Sequence, residues 1–208
     1  MKIVAISDTH GLHHSLKLPK GDLLIHAGDV SRRGLPLEID SFLKWFSAQD
    51  FKYKIFIAGN HDYFFEKKAA AKIAEVIPEN VIYLNDTNVV IEGIKIHGSP
   101  VQPWFYDWAF NRKRGAEIDK HWQLIPNDTD ILITHGPPYG KLDKVVNGEL
   151  VGCKMLAKKI EEVKPKKAIF GHIHEAYGEL IENEVHYINA SVVNFHYKLV
   201  NNAIEFEM

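Results

Sequence analysis

Five short apolar runs, each ending abruptly in aspartate, asparagine, histidine or glycine, constrain this chain more than any other feature of its sequence. Residues 2–7, 22–26, 53–58, 130–134 and 167–170 are rich in Ile, Leu, Val and Phe, and their length predicts buried strands. The first run leads into Asp8-Thr9-His10, the second into Gly28-Asp29 and the third into Gly59-Asn60-His61-Asp62. The fourth leads into His135-Gly136 and the fifth into Gly171-His172-Ile173-His174. In open α/β sheets ligands bind just beyond the carboxyl ends of the strands, so the five segments are expected to meet at one rim. Asp, Asn, His and Gly are ordinary loop residues, which explains any one segment but accounts poorly for five in succession.

Between the runs, residues 36–49 and 151–163 repeat their apolar positions at helical spacing, and Pro165 ends the second. Residues 81–84, 89–91 and 94–97 are strand-like, with Glu92-Gly93 as a tight hairpin turn. The last thirty residues are expected to form further short strands, with Asn201-Asn202 as a turn between two of them. Hairpins require antiparallel neighbours, so a layered, mixed α/β domain is expected rather than a purely parallel doubly wound sheet. With 208 residues and no repeat or linker, one domain over residues 1–208 is the expected organisation.

The donor types point to metal. His10, His135, His172 and His174 offer imidazoles, Asp8 and Asp29 carboxylates, and Asn60 an amide oxygen. Such donors suit Mn²⁺, Fe or Zn²⁺ rather than soft thiolate metals, and the single cysteine, Cys153, rules out a cysteine-rich zinc site. Seven donors are too many for one tetrahedral ion and enough for two ions sharing a carboxylate, the arrangement that clamps both oxygens of a phosphoryl displacement.

Asp8-x-His10, Gly28-Asp29, Gly59-Asn60-His61-Asp62, His135 and Gly171-His172-x-His174 together, in this order, resemble the calcineurin-like metallophosphoesterases. The stretches 6–11, 97–100 and 134–138, with the aromatic run from Trp104, are similar to the metallophosphodiesterases named from vertebrate brain, which resemble class III cyclic-nucleotide phosphodiesterases. The resemblance implies two packed mixed sheets flanked by helices, a four-layer αββα sandwich. It implies that Asp8, His10 and His174 hold one ion, that Asn60, His135 and His172 hold the other, and that Asp29 bridges them. His61 would contact the phosphate and protonate the leaving oxygen, with Asp62 orienting its ring. The expected cofactors are two divalent ions, Mn²⁺ foremost. The expected activity is hydrolysis of small phosphodiesters, cyclic nucleotides included, by in-line attack of a hydroxide generated at the metals. A phosphomonoesterase or nuclease of the same fold is the alternative, and a non-catalytic scaffold is disfavoured by the intact donor set.

The segment around Trp104, Phe105, Tyr106, Trp108 and Phe110 is the candidate for substrate specificity, with Arg112 or Arg114 to meet an anionic group. The competing reading is that these rings anchor a long loop, since large aromatics serve packing first. His13 and His14 are expected in a solvent-facing loop, and His26 in the core or behind a ligand. His97, His121, His186 and His196 carry no assignment, with His97 ranked first among them for an approach to the site. Cys153 is expected to be a small core residue on a helix. Gly136-Pro137-Pro138-Tyr139-Gly140-Lys141 is one residue short of a phosphate loop, and its prolines remove the donors such a loop requires. With 25 basic and 27 acidic residues, no bulk field attracts a polyanion, so a nucleic-acid partner is not expected. No apolar run is long enough for a membrane span or a secretory leader, and a cytoplasmic location is expected.

Overall fold

A computed structural model describes residues 1–208. In chain order the first strands are β1 (Lys2–Ile6), β2 (Leu23–Ala27), β3 (Tyr53–Ile57) and β4 (Ile82–Tyr83). They run parallel to one another. The hairpin β5 (Thr87–Ile91) and β6 (Ile94–Ser99) starts a second sheet, and the short strands β7 (Gln102–Pro103) and β8 (Asn111–Arg112) pair beside it. Then come β9 (Ile131–Thr134), β10 (Lys167–Phe170), β11 (Gly178–Glu182) and β12 (Val185–Asn189). The last strand, β13 (Ile204–Glu207), returns antiparallel to β1. The sheet orders are β13-β1-β2-β3-β4 and β11-β12-β10-β9-β6-β5, so both sheets are mixed. The helices are α1 (Pro36–Ser47), α2 (Tyr63–Lys67), α3 (Ala70–Val76), α4 (Ala116–Trp122) and α5 (Lys154–Val163).

Side-chain alternation along the central strands builds the layers. In β1, Ile3 and Ala5 face the other sheet, while Val4 and Ile6 face α1. In β10, Ile169 joins the inter-sheet cluster, and Ala168 and Phe170 pack beneath α4 and α5 with Trp122, Leu156 and Ile160. Both faces of these strands are covered, which is why they read as unbroken apolar runs rather than alternating ones. The expected layering of helix, sheet, sheet and helix is therefore present.

Pro36 opens α1 at its first position, and the Glu38 carboxylate accepts the Leu35 N–H at 2.9 Å, closing its first turn. Its buried face, Ile39, Phe42, Leu43 and Phe46, follows the helical spacing. Phe42 stacks on Phe46 at 5.1 Å and meets Phe56 edge-on at 5.4 Å. Truncating Phe42 to alanine is expected to cost ~3–5 kcal/mol. An unfolding free energy lowered by less than ~1 kcal/mol in urea, at unchanged slope, would contradict that placement.

Three local expectations need correction. The second long helix begins at Lys154, not 151, because Cys153 pairs with the 137–138 segment through its N–H to the Pro137 carbonyl at 2.9 Å. Cys153 is buried, but as the residue preceding the helix. Asn201-Asn202 is no turn. Asn183-Glu184 makes the hairpin turn between β11 and β12, both residues having positive φ (49° and 66°), as do Glu92 (48°) and Gly93 (81°) in the other hairpin. That backbone matches the twist of paired strands, and nothing in Asn-Glu advertises it as Glu-Gly does.

The two sheets join at their carboxyl ends. The Ser7 N–H donates to the Ala190 carbonyl (2.8 Å) and the Val192 N–H to the Ser7 carbonyl (3.0 Å), which ties the end of β1 to the end of β12. The loops after β1, β2, β3, β9, β10 and β12 therefore emerge around one seam.

Candidate metal centre

The five sequence segments meet at that seam. The Asp29 carboxylate lies at their centre: its Oδ2 is 3.4 Å from His135 Nε2, 3.7 Å from His10 Nε2 and 3.9 Å from His61 Nε2. Asp8 Oδ1 is 3.4 Å from His174 Nε2, and His174 Nε2 is 3.3 Å from His10 Nε2. Asn60 Oδ1 lies 2.9 Å from His135 Nε2. Three groups of donors form in this way, Asp8/His10/His174, His10/Asp29/His61 and Asp8/Asp29/His135, each with its atoms within 4.8 Å of one another. His172 lines the same cavity with its ring centroid 5.1 Å from that of His135.

The backbone is shaped to bring these groups together. Asp8 (57°), His10 (43°), Asp29 (57°) and His172 (66°) all have positive φ, a conformation that costs on the order of 1–3 kcal/mol each for a side-chain-bearing residue and clusters at functional sites. Gly28 has φ +101°, and a Cβ there would lie 2.5 Å from His135 Nδ1; one on Gly171 would fall inside the Asp8 carboxylate. The close approach of strand ends, not turn chemistry alone, demands glycine at these two places. Backbone amides also knit the segments: the His172 N–H donates to Asp8 and the His61 N–H to Asp29 Oδ1 at 2.8 Å.

The electrostatics suit cations. Asp8 and Asp29 are buried, and neither is paired with a lysine or arginine; the basic groups beside them are histidines. Burial alone would raise both carboxyls, but hydrogen bonds and charge from His174 and His135 outweigh it and hold both below the usual range. Burial lowers His10 to about 4 and, with the His135 charge, His172 to about 3, so both rings are neutral donors at neutral pH. His135 differs. Burial opposes its protonation, yet the Asp29 and Asp8 carboxylates push it up to about 9. Its Nδ1–H donates to the Ala27 carbonyl at 3.0 Å, which leaves Nε2 as the coordinating atom. Converging imidazole nitrogens, an amide oxygen and two buried carboxylates fit two hard-to-borderline divalent ions.

An ion that binds there must displace the proton from His135 Nε2. Metal affinity is accordingly expected to rise with pH up to about 9, with roughly one proton released per chain at pH 7. Calorimetric titrations in buffers of different ionisation enthalpy would measure that release; metal uptake with no proton release would contradict it.

Behind the donors, the Thr9 hydroxyl contacts His26 Nε2 at 2.9 Å, so His26 supports the Asp8-Thr9-His10 loop from the core. Asp62 corrects an expectation. Its carboxylate does not touch the His61 ring; it accepts the N–H groups of Gly59, Val30 and Ser31 and the Ser31 hydroxyl (2.6 Å), locking the Asp29 loop to the Asn60 loop. Burial and the Asp29 charge nonetheless push it up to about 6. The His61 ring is oriented instead by the Arg32 carbonyl, which accepts its Nδ1–H at 2.7 Å, and by Trp108, whose ring lies 4.2 Å away at 30°.

The donors open into two recesses. One, of about 430 Å³, has Trp104, Phe105, Trp108, Phe195 and Tyr197 among its lining side chains. The second, of about 390 Å³, is lined by His10, Arg32, His61, His196 and Tyr197. Trp104, Phe105 and Trp108 therefore stand where the sequence suggested, but Arg112 does not. Its guanidinium donates to His121 Nε2 (3.1 Å) and to the Asn111 carbonyl, and lies 3.6 Å from Glu66. Arg112 anchors the base of the aromatic loop. Arg114 does line the first recess, with both terminal nitrogens committed to the Gly152 and Val151 carbonyls. His97 is buried within β6 on the face opposite Ile96, away from the donors, and His13 is buried against Ser41 and Trp45 rather than facing solvent. Tyr197 is the residue that sequence reasoning missed. Its ring lies 4.8 Å from His10 and 5.2 Å from His174, delivered by the loop after β12. An aromatic-histidine tip, Phe195-His196-Tyr197, following a strand-like run was the available signal.

A family model for calcineurin-like phosphoesterases matches residues 1–176. Metallophosphoesterase domain-containing protein 1 of Homo sapiens, like that of Mus musculus, is 40% identical over 230 residues, covering 100% of this chain and 71% of its own. Among solved structures, the phosphopantetheinyl hydrolase of Mycobacterium tuberculosis superposes with a TM-score of 0.67 at 16% identity, over 94% of this chain and 90% of that one, a likeness of fold.

Proposed function

The chain belongs to the calcineurin-like phosphoesterase family, and from that premise we propose that it is a metal-dependent phosphodiesterase acting on small diesters, cyclic nucleotides among them. The observation that carries the diester preference is the pair of recesses meeting at His61 and Tyr197. A diester has a substituent on each side of phosphorus, and each recess receives one; a monoester leaves one recess empty. The aromatic walls of the first suit a flat substituent such as a nucleobase.

In this reading Asp8, His10 and His174 would hold one ion and Asn60, His135 and His172 the other, with Asp29 placed within reach of both groups. Bound there, the ions supply an activated water near neutral pH and offset charge on the phosphoryl oxygens. The chain's own part is positioning and proton transfer. With Nδ1–H spent on the Arg32 carbonyl, His61 presents Nε2 to the junction of the recesses, where it gives a proton to the departing oxygen. Trp108 and Tyr197 cover that junction and limit water around it. No serine or cysteine nucleophile is required.

The test is a paired assay on chelator-stripped protein reloaded with Mn²⁺, comparing bis-p-nitrophenyl phosphate with p-nitrophenyl phosphate. A metal-dependent diester preference is expected. Faster monoester hydrolysis would make the protein a phosphatase, and no hydrolysis of either would remove the enzymatic reading.

A further inference from the structure

We propose that Arg32 makes the second recess a subsite for an anionic group, so that favoured substrates are phosphodiesters whose second substituent carries a carboxylate or phosphate. This rests on the phosphodiesterase reading and adds the substrate class to it.

Arginine commitments around the site carry the inference. Arg112 is tied to His121 and Glu66, and Arg114 to two carbonyls. Arg32 is exposed, and its Nε donates to the His10 carbonyl at 3.2 Å, which anchors the guanidinium at the recess. Its two terminal nitrogens make no hydrogen bond or ion pair within the protein. The neighbouring acid, Glu38, is spent on the backbone N–H groups of Arg32 (3.3 Å), Arg33 (3.1 Å) and Leu35 (2.9 Å). No lysine lines either recess, so one pre-anchored, unpaired fork is the cation available to a charged substituent. A planar guanidinium held by Nε still offers N–H groups to a carboxylate or phosphate, and anchoring reduces the entropy lost on binding. The Arg32 carbonyl also orients His61, so an anion on this fork would sit beside the group that protonates the leaving oxygen.

The probes are p-nitrophenyl butyl phosphate and p-nitrophenyl 3-carboxypropyl phosphate, which differ only in a terminal methyl or carboxylate. The wild-type protein is expected to favour the carboxylate ester about tenfold in kcat/KM, mostly through KM, as one charge-assisted contact allows. In Arg32→Gln that ratio should fall to about one. Because the ratio is taken within each variant, a general change in turnover cancels. A wild-type ratio of one, or a ratio that survives in Arg32→Gln, overturns the subsite; so does an equal loss on both esters, which would mean that Arg32 serves the reacting phosphoryl group. If neither ester is cleaved, the phosphodiesterase reading has failed instead. Calorimetric binding of the same two esters then decides the subsite, with a carboxylate preference lost in Arg32→Gln supporting it and equal binding overturning it.

Discussion

Replacing Asp29 with alanine is expected to lower diesterase turnover at least ~10³-fold, beyond the ~10–100-fold typical of a partner one step removed from a metal, and to strip metal from the protein. The magnitude follows from its place. One carboxylate oxygen lies within 3.9 Å of the Nε2 atoms of His10, His61 and His135, and the other accepts the His61 N–H at 2.8 Å. Asp29→Asn is the companion variant: it keeps the volume and tolerates the 57° backbone angle, so a folded protein with lost metal separates charge from packing. Plasma-emission analysis and the diester assay together give the answer. An Asp29→Ala protein that retains full metal content and more than a tenth of the turnover would refute the shared-ligand role.

His61→Ala is expected to behave differently, keeping its metal while losing about 10²–10⁴-fold in turnover, the range of general acid catalysis. Its ring is held from three sides, by the Arg32 carbonyl, by Trp108 and by the edge of His10 at 4.6 Å. The loss should depend on the leaving group. A p-nitrophenolate departs without a proton, whereas an alkoxide needs one, so an alkyl ester should suffer far more. Equal losses on both esters would assign His61 to phosphate binding rather than to proton transfer.

Much of the site was legible because it is written as strand ends. An apolar run followed by Asp, His or Asn announces a buried strand and its functional terminus together, and Asp8, Asp29, Asn60, His135 and His172 all lie within three residues of such ends. Trp104, Phe105 and Trp108 were legible for a different reason, since so dense an aromatic run needs either a core or a ligand to cover it. Asp62 was misassigned because the resemblance, and the usual pairing of carboxylates with catalytic histidines, suggested a contact with His61 that the fold does not make. The turn after Asn60 sends the carboxylate inward to three amides while the imidazole points to the junction. Arg112 was misassigned because its neighbours in sequence are aromatic, whereas its neighbours in space are His121 and Glu66.

Local chemistry along the chain was enough to dictate the strand and helix periods, the donor types themselves and hence the candidate metal character of the site. These depend on residues within a few positions of one another, where apolar spacing and side-chain chemistry are direct physical constraints. Which carboxylate is central, which carbonyl orients His61, which arginine stays unpaired and that Tyr197 closes the site all depend on how the two sheets meet. The seam from Ser7 to Ala190 and Val192 joins residues more than 180 positions apart. Only packing of the inter-sheet core holds such distant loops in register, and no local pattern encodes which of their atoms then come within hydrogen-bond reach.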